Sequence, residues 1–121
     1  MKIFLISPVR EATEEELNNI KNYVELLESK GHKVHWPRRD TNQIDSVGTR
    51  ICKDNSTAII DSDEIHVWWN GISTGSLFDF GMAFMYNIMQ GTPIRLANPE
   101  MIKKTPHKSF ENVLIDVDTH T

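Results

Sequence analysis

The feature that most constrains this chain is its first apolar run, Ile3-Phe4-Leu5-Ile6, which is unbroken and closed by Ser7-Pro8. A strand without polar alternation has both faces buried, so it belongs inside a sheet that is covered on either side. The segment that follows supplies such a cover. Thr13 and Glu16 stand three apart as a capping box, and Glu14-Glu15-Glu16 suits the positive end of a helix dipole. Leu17, Ile20, Val24 and Leu27 then recur at helical spacing, and Gly31 marks the end.

The alternation continues along the chain. Lys33 to Trp36 reads as a second strand stopped by Pro37, and Arg38 to Asp45 as a polar loop. Val47, Ile51, Ala58 and Ile59 trace a second helical stripe, followed by a third strand from Ile65 to Trp69. Asn70 to Gly75 is a loop. Leu77 to Met89 is apolar on almost every side, which predicts a deeply packed helix ended by Gly91. Ile94 to Ala97 reads as a fourth strand and Val113 to Val117 as a fifth, with a loop and one helical turn over Pro99 to Phe110. Repeated βα units predict an α/β fold: a flavodoxin-like or Rossmann-like open sheet of five parallel strands, order 2-1-3-4-5, with helices on both faces. With 121 residues, that sheet and its crossovers occupy the chain as one domain, residues 1–121.

Composition narrows the function classes. The 17 acidic side chains outnumber the 13 basic ones, which argues against a protein that grips nucleic-acid polymers by their phosphates. A single cysteine, Cys52, allows no intrachain disulfide and fits a reducing cytoplasm. The opening run turns polar at Ser7, too early for the apolar region of a signal peptide, and no stretch is long enough to span a membrane. The expectation is a cytoplasmic protein. None of His32, His35, His66, His107 and His120 has metal-ligand spacing, and Cys52 has no CxxC partner, so no metal and no cofactor are expected. His35 and His66 lie inside expected strands and read as packed side chains. GxGxxG, GxxxxGK[ST] and GxSxG sequences are absent.

In an open parallel sheet, ligands bind beyond the carboxyl ends of the strands, near the point where strand order reverses. That nominates Ser7 to Arg10, Pro37 to Asp40 and Asn70 to Ser76. Asp79 stands one turn into the most apolar helix, between Phe78 and Phe80. It reads either as a dipole-favoured acid reaching solvent or as a carboxylate held at the cleft as nucleophile or base. Asp54, at spacings of four, three and four with Val47, Ile51 and Ala58, reads as an acid on a buried stripe or at its edge. Ser73-Thr74-Gly75-Ser76 precedes a helix N-terminus, where hydroxyls and free N–H groups make a phosphate site, although Ser76 is equally a plain cap. Arg10, Arg38 and Arg39 follow strands at this edge and are either phosphate ligands or solvated. Trp36, Trp68 and Trp69 end strands there; one can stack on a base, and alternation sends Trp68 or Trp69 into the core or an interface.

Taken together, Ile3-Phe4-Leu5-Ile6-Ser7-Pro8, the acid Asp54 with Asp61-Ser62-Asp63 before the third strand, and Gly75-Ser76-Leu77-Phe78-Asp79-Phe80-Gly81-Met82-Ala83 resemble the nucleoside 2-deoxyribosyltransferase family. That family includes nucleoside 5'-monophosphate N-glycosidases. The resemblance runs in order from Ile3 to Ala97. It implies cleavage or transfer at an N-glycosidic bond through a glycosyl-enzyme. By the same resemblance Asp79 is the nucleophile and Asp54 the acid that orients substrate or nucleophile. Ser7, Pro8, Arg10, Asn70, Ser73, Gly75, Ser76 and Trp69 are the expected substrate contacts, with a nucleoside or nucleotide as small-molecule partner. It also implies a homo-oligomer with sites near subunit contacts. Two residues depart from the family pattern. Asp79 is one methylene shorter than the usual glutamate, and Phe4 replaces a tyrosine whose hydroxyl meets that carboxylate. Both departures bear on one interaction, and they support an alternative: a catalytically silent nucleotide-binding module with the same cleft.

Overall fold

The structure, a computed structural model, describes residues 1–119. Strand β1 (Lys2–Ile6) is central, with β2 (Lys33–His35) on one side and β3 (Glu64–Val67) on the other; β4 (Ile94–Leu96) lies beyond β3. All pairings are parallel, with Phe4 opposite both His35 and Ile65. Alternation along β1 divides the core into two layers. Ile3 and Leu5 pack with Ile20, Val24 and Leu27 of α1 (Glu14–Ser29). Phe4 and Ile6 pack on the opposite face with Ile59 of α3 (Thr49–Ile60) and with Phe80 and Ala83 of α4 (Thr74–Gln90). Helices therefore cover both faces.

The entry to α1 follows the capping pattern in half. Thr13 Oγ1 accepts from the Glu16 N–H at 3.1 Å. The Glu16 carboxylate, instead of reaching back to the cap, accepts from Trp68 Nε1 and Asn70 Nδ2. It thereby ties α1 to the loop after β3.

The sheet has four strands in the order 2-1-3-4, and the expected fifth strand is a helix, α5 (Phe110–Thr119). Val113, Ile115 and Val117 are β-branched and alternate along the chain, which favours a strand on local pattern. Read from Phe110, however, Val113, Leu114 and Val117 fall on one helical face, and Ser109 Oγ caps the start by accepting from the Asn112 N–H at 3.1 Å. Leu114 is fully buried against the core, and Asp118 of α5 accepts from the Leu96 N–H at 3.0 Å. A side chain thus satisfies a β4 donor that a fifth strand would have paired.

The polar segment after β2 opens with one turn of helix, α2 (Pro37–Asp40), with proline at its first position. A 3₁₀ turn occupies Pro99–Met101, as expected between β4 and the C-terminal element. Helix α4 is packed on one side only: Phe80 and Ala83 are buried, whereas Phe78, Met85, Ile88 and Met89 are each more than half exposed. The expectation of burial all round is therefore corrected, and an apolar helix face remains uncovered. Among the described residues no helix is long and apolar enough to cross a membrane.

Candidate active site

A cleft of about 450 Å³ opens beyond the carboxyl ends of β1 and β3, where the strand order reverses. Its walls come from three segments distant in sequence. Ser7, Arg10 and Glu11 follow β1; Asp45, Cys52 and Asn55 belong to the approach to α3 and to α3 itself; Ser73, Gly75 and Asp79 open α4.

Asp79 is 8% exposed and lies on the cleft wall. Among the described residues its one side-chain hydrogen bond comes from Asn55 Nδ2, which donates to Oδ2 at 3.5 Å. Burial pushes the carboxyl up to about 7, against a smaller opposing pull from the Asn55 amide. Near neutrality the group therefore divides between a carboxylate and a protonated acid. Behind Asn55, the Thr41 hydroxyl donates to Asn55 Oδ1 at 2.8 Å, and His35 Nε2 lies 2.8 Å from Thr41 Oγ1. The His35 ring is stacked on Phe4, with centroids 5.4 Å apart. Phe4 is fully buried and presents no hydroxyl to the acid.

The N-terminus of α4 is already furnished from within the chain. The cap is Ser73, not Ser76: Ser73 Oγ accepts from the Ser76 N–H at 3.1 Å. The Thr74 N–H donates to Glu11 Oε2 at 3.2 Å, so a carboxylate sits where the dipole favours an anion. Asn70 Oδ1 accepts from the N–H groups of Ile72 and Ser73, and Asn70 Nδ2 donates to the Glu11 carbonyl. Asn70 thus shapes the loop without lining the cleft.

Ser7, Arg10, Ser73, Gly75 and Asp79 of the expected site line this cleft together. Ser7 Oγ is buried and has no protein partner among the described residues. Pro8 is buried but outside the lining, as is Ser76. Trp69 turns into the core, edge-on to Phe80, and its Nε1 donates to Glu111 at 2.7 Å. Asp54 is not on a buried stripe. Its side chain is 50% exposed and pairs with Arg50 at 2.6 Å, and the buried residue facing Asp79 is its neighbour Asn55. Arg39 is held by Glu28, Asp40 and the Val34 carbonyl, and Arg38 by the Val9 carbonyl. Both are structural in this arrangement. Glu11, Thr41 and Asn55 are the site residues that periodicity did not nominate. Asn55 has a legible signal: Ile51, Asn55 and Ile59 are spaced by four.

Among the described residues no group of three or more His, Cys, Asp or Glu side chains is placed to hold a metal, and His120 lies outside those residues. A second groove, about 600 Å³ and lined by Ile59, Leu77, Phe78, Met82, Met85 and Met89 among others, runs between α3 and α4. It carries no charged side chain, and Phe78 lines both spaces.

The chain matches no protein-family model and no curated protein sequence. Solved structures do match it. A 2-deoxyribosyltransferase from the psychrotolerant bacterium Bacillus psychrosaccharolyticus aligns with a TM-score of 0.65 and 22% identity, over 94% of this chain and 90% of that one. The CMP N-glycosidase BcmB of Clostridium botulinum aligns with a TM-score of 0.63 and 19% identity, over 97% of this chain and 82% of that one. A conserved protein from Enterococcus faecalis V583 aligns with a TM-score of 0.62 and 18% identity, over 79% of this chain and 62% of that one. At such identities the likeness is one of architecture. The resemblance to nucleoside 2-deoxyribosyltransferases read from short motifs thus recurs in three dimensions, as a shared fold.

Proposed function

We propose that the cleft binds a nucleoside or nucleoside 5'-monophosphate and that Asp79 attacks its anomeric carbon. The observation that carries this reading is a buried carboxylate with one weak donor, on the wall of the switch-point cleft, in a fold shared with a deoxyribosyltransferase and a CMP N-glycosidase. In the first step an Asp79 oxygen bonds to the anomeric carbon while the carbon–nitrogen bond breaks, and the base leaves with the electron pair and takes up a proton. In the second, water or another base attacks the same carbon and releases the carboxylate. The unpartnered Ser7 hydroxyl offers the sugar a hydrogen bond at the cleft wall. The test is base release, or exchange of bases, from a panel of nucleosides and nucleoside monophosphates. Ligand-induced thermal stabilisation without any turnover would favour the silent binding module instead.

Glu11 bears on the choice between the two substrate classes. A phosphate dianion at the α4 N-terminus meets this carboxylate at the Thr74 N–H, with Arg10 the one cation of the cleft lining among the described residues. Like charges a few ångströms apart at a protein surface cost on the order of 1 kcal/mol or more, about tenfold in binding. Glu11→Gln is therefore expected to raise base release from a nucleoside 5'-monophosphate by about tenfold relative to the parent nucleoside. An unchanged ratio would remove Glu11 from substrate selection.

The same reading includes self-association in the cytoplasm. The exposed apolar face of α4 carries no charge that would repel a second copy. Light scattering at micromolar concentration is expected to give a multiple of the 13.9 kDa chain mass, and a monomer would count against it.

A further inference from the structure

The donors behind Asp79 all run one way. The Thr41 hydroxyl has a single proton, and it is given to Asn55 Oδ1. His35 Nε2, 2.8 Å from the same oxygen, must then be the donor in that contact, so the imidazole carries its proton on Nε2. The ring lies in a near-parallel stack on Phe4, at 9° between planes, which fixes the plane in which Nε2 meets Thr41. With Oδ1 held by Thr41, the Asn55 amide has one orientation left, with its NH₂ toward Asp79. Thr41 and Asn55 are each 5% exposed, so water does not compete for these bonds.

We infer that Thr41, oriented by His35, is a positioning residue that locks the Asn55 amide with its NH₂ on Asp79 and so keeps that acid available as a carboxylate. A reversed amide would present Oδ1 to the carboxylate, removing a donor and adding a repulsion. The other titratable groups facing Asp79 across the cleft are Arg10 and Glu11 after β1, Asp45 before α3 and Cys52 on α3; His35 acts only through Thr41. The consequence for catalysis rests on the function proposed above, whereas the titration of Asp79 does not.

The experiment is a carbon-13 NMR titration of the aspartate carboxyls, with Asp79 assigned by Asp79→Asn. In Thr41→Val the Asp79 midpoint is expected to rise by about one pH unit, the loss of one hydrogen bond to a charged group. Thr41→Ser, which keeps the hydroxyl, is expected to stay at the wild-type midpoint. Thr41→Ala is the second variant if valine prevents folding. In the wild-type protein the Asn55 side-chain amide protons should shift through the same midpoint as Asp79, which requires no variant. In turnover, Thr41→Val is expected to be about tenfold slower than wild type at pH 6 and equal to it at pH 9, where a merely structural defect would slow both. A midpoint unmoved in Thr41→Val, a serine variant shifted as far as valine, or Asn55 amide protons indifferent to Asp79 would each overturn the inference. If no nucleoside is cleaved, the proposed function falls, while the titration still decides the role of Thr41.

Discussion

Asp79→Asn is expected to lower base release by at least roughly 1000-fold while leaving the fold intact, because it removes the nucleophile and little else. The amide matches the carboxyl in size. It can still accept from Asn55, and it sits on a helix whose cap, Ser73, is unaffected. The measurement is chromatography of the free base at saturating nucleoside, with wild type and variant side by side. The pH dependence gives a second mark. A nucleophile must be ionised, and burial holds this carboxyl near 7, so wild-type kcat/KM should fall tenfold for each pH unit below about 6 and level off above about 8. Full activity in Asp79→Asn would end the case for this residue. The two departures from the family pattern also meet here. Phe4 packs under His35 and supplies no hydroxyl, and among the described residues Asn55 is the one side chain that donates to the acid. With so little donation to the charged form, burial outweighs the pull of the Asn55 amide, which accounts for the high pKa.

The position of this site could be read in the sequence further than its chemistry could. The unbroken run at β1 was enough to require a two-sided sheet, and the Thr13 cap placed α1 within a residue. Local signals failed where two of them competed. At Val113 to Val117 three alternating β-branched residues outweigh the weaker evidence of Ser109 as a cap and of Phe110 as the first residue of a helical face. At α3 the stripe was anchored on Val47, which is exposed and lies before the helix. Gly48, at φ +99°, turns the chain there, and α3 starts only at Thr49. Without that anchor the inward line runs from half-buried Ile51 to buried Asn55 and Ile59, and the residue facing Asp79 changes from an acid to an amide. No local pattern reveals Glu11 on the Thr74 N–H, since 63 positions separate them in the chain. Contacts of that kind follow from the parallel crossover, which brings the end of β1 beside the start of α4.

The second large effect concerns stability, and it has the opposite sign to the effect on activity. Folded Asp79 keeps its proton up to about 7, whereas the unfolded side chain releases it near 3.8. Between those values the folded state binds more protons, so stability falls as pH rises through this window. The contribution is fully present below about pH 4 and lost above about pH 7. The gap, at about 1.4 kcal/mol for each pH unit, amounts to about 4 kcal/mol. Asparagine has no such titration. In urea unfolding, Asp79→Asn is expected to gain on wild type steadily from about pH 4 to 7 and to be the more stable protein at pH 8. His35 and His66, whose pKa values burial lowers, act with the reverse slope below about 6.5, but they are present in both proteins and cancel in the difference. Parallel stability curves would mean that Asp79 is not held protonated by the fold. A rising difference together with lost turnover would show one atom group weakening the fold at the pH where it works. That combination is expected of a reactive group kept in place for chemistry, and not of a carboxylate whose task is structural.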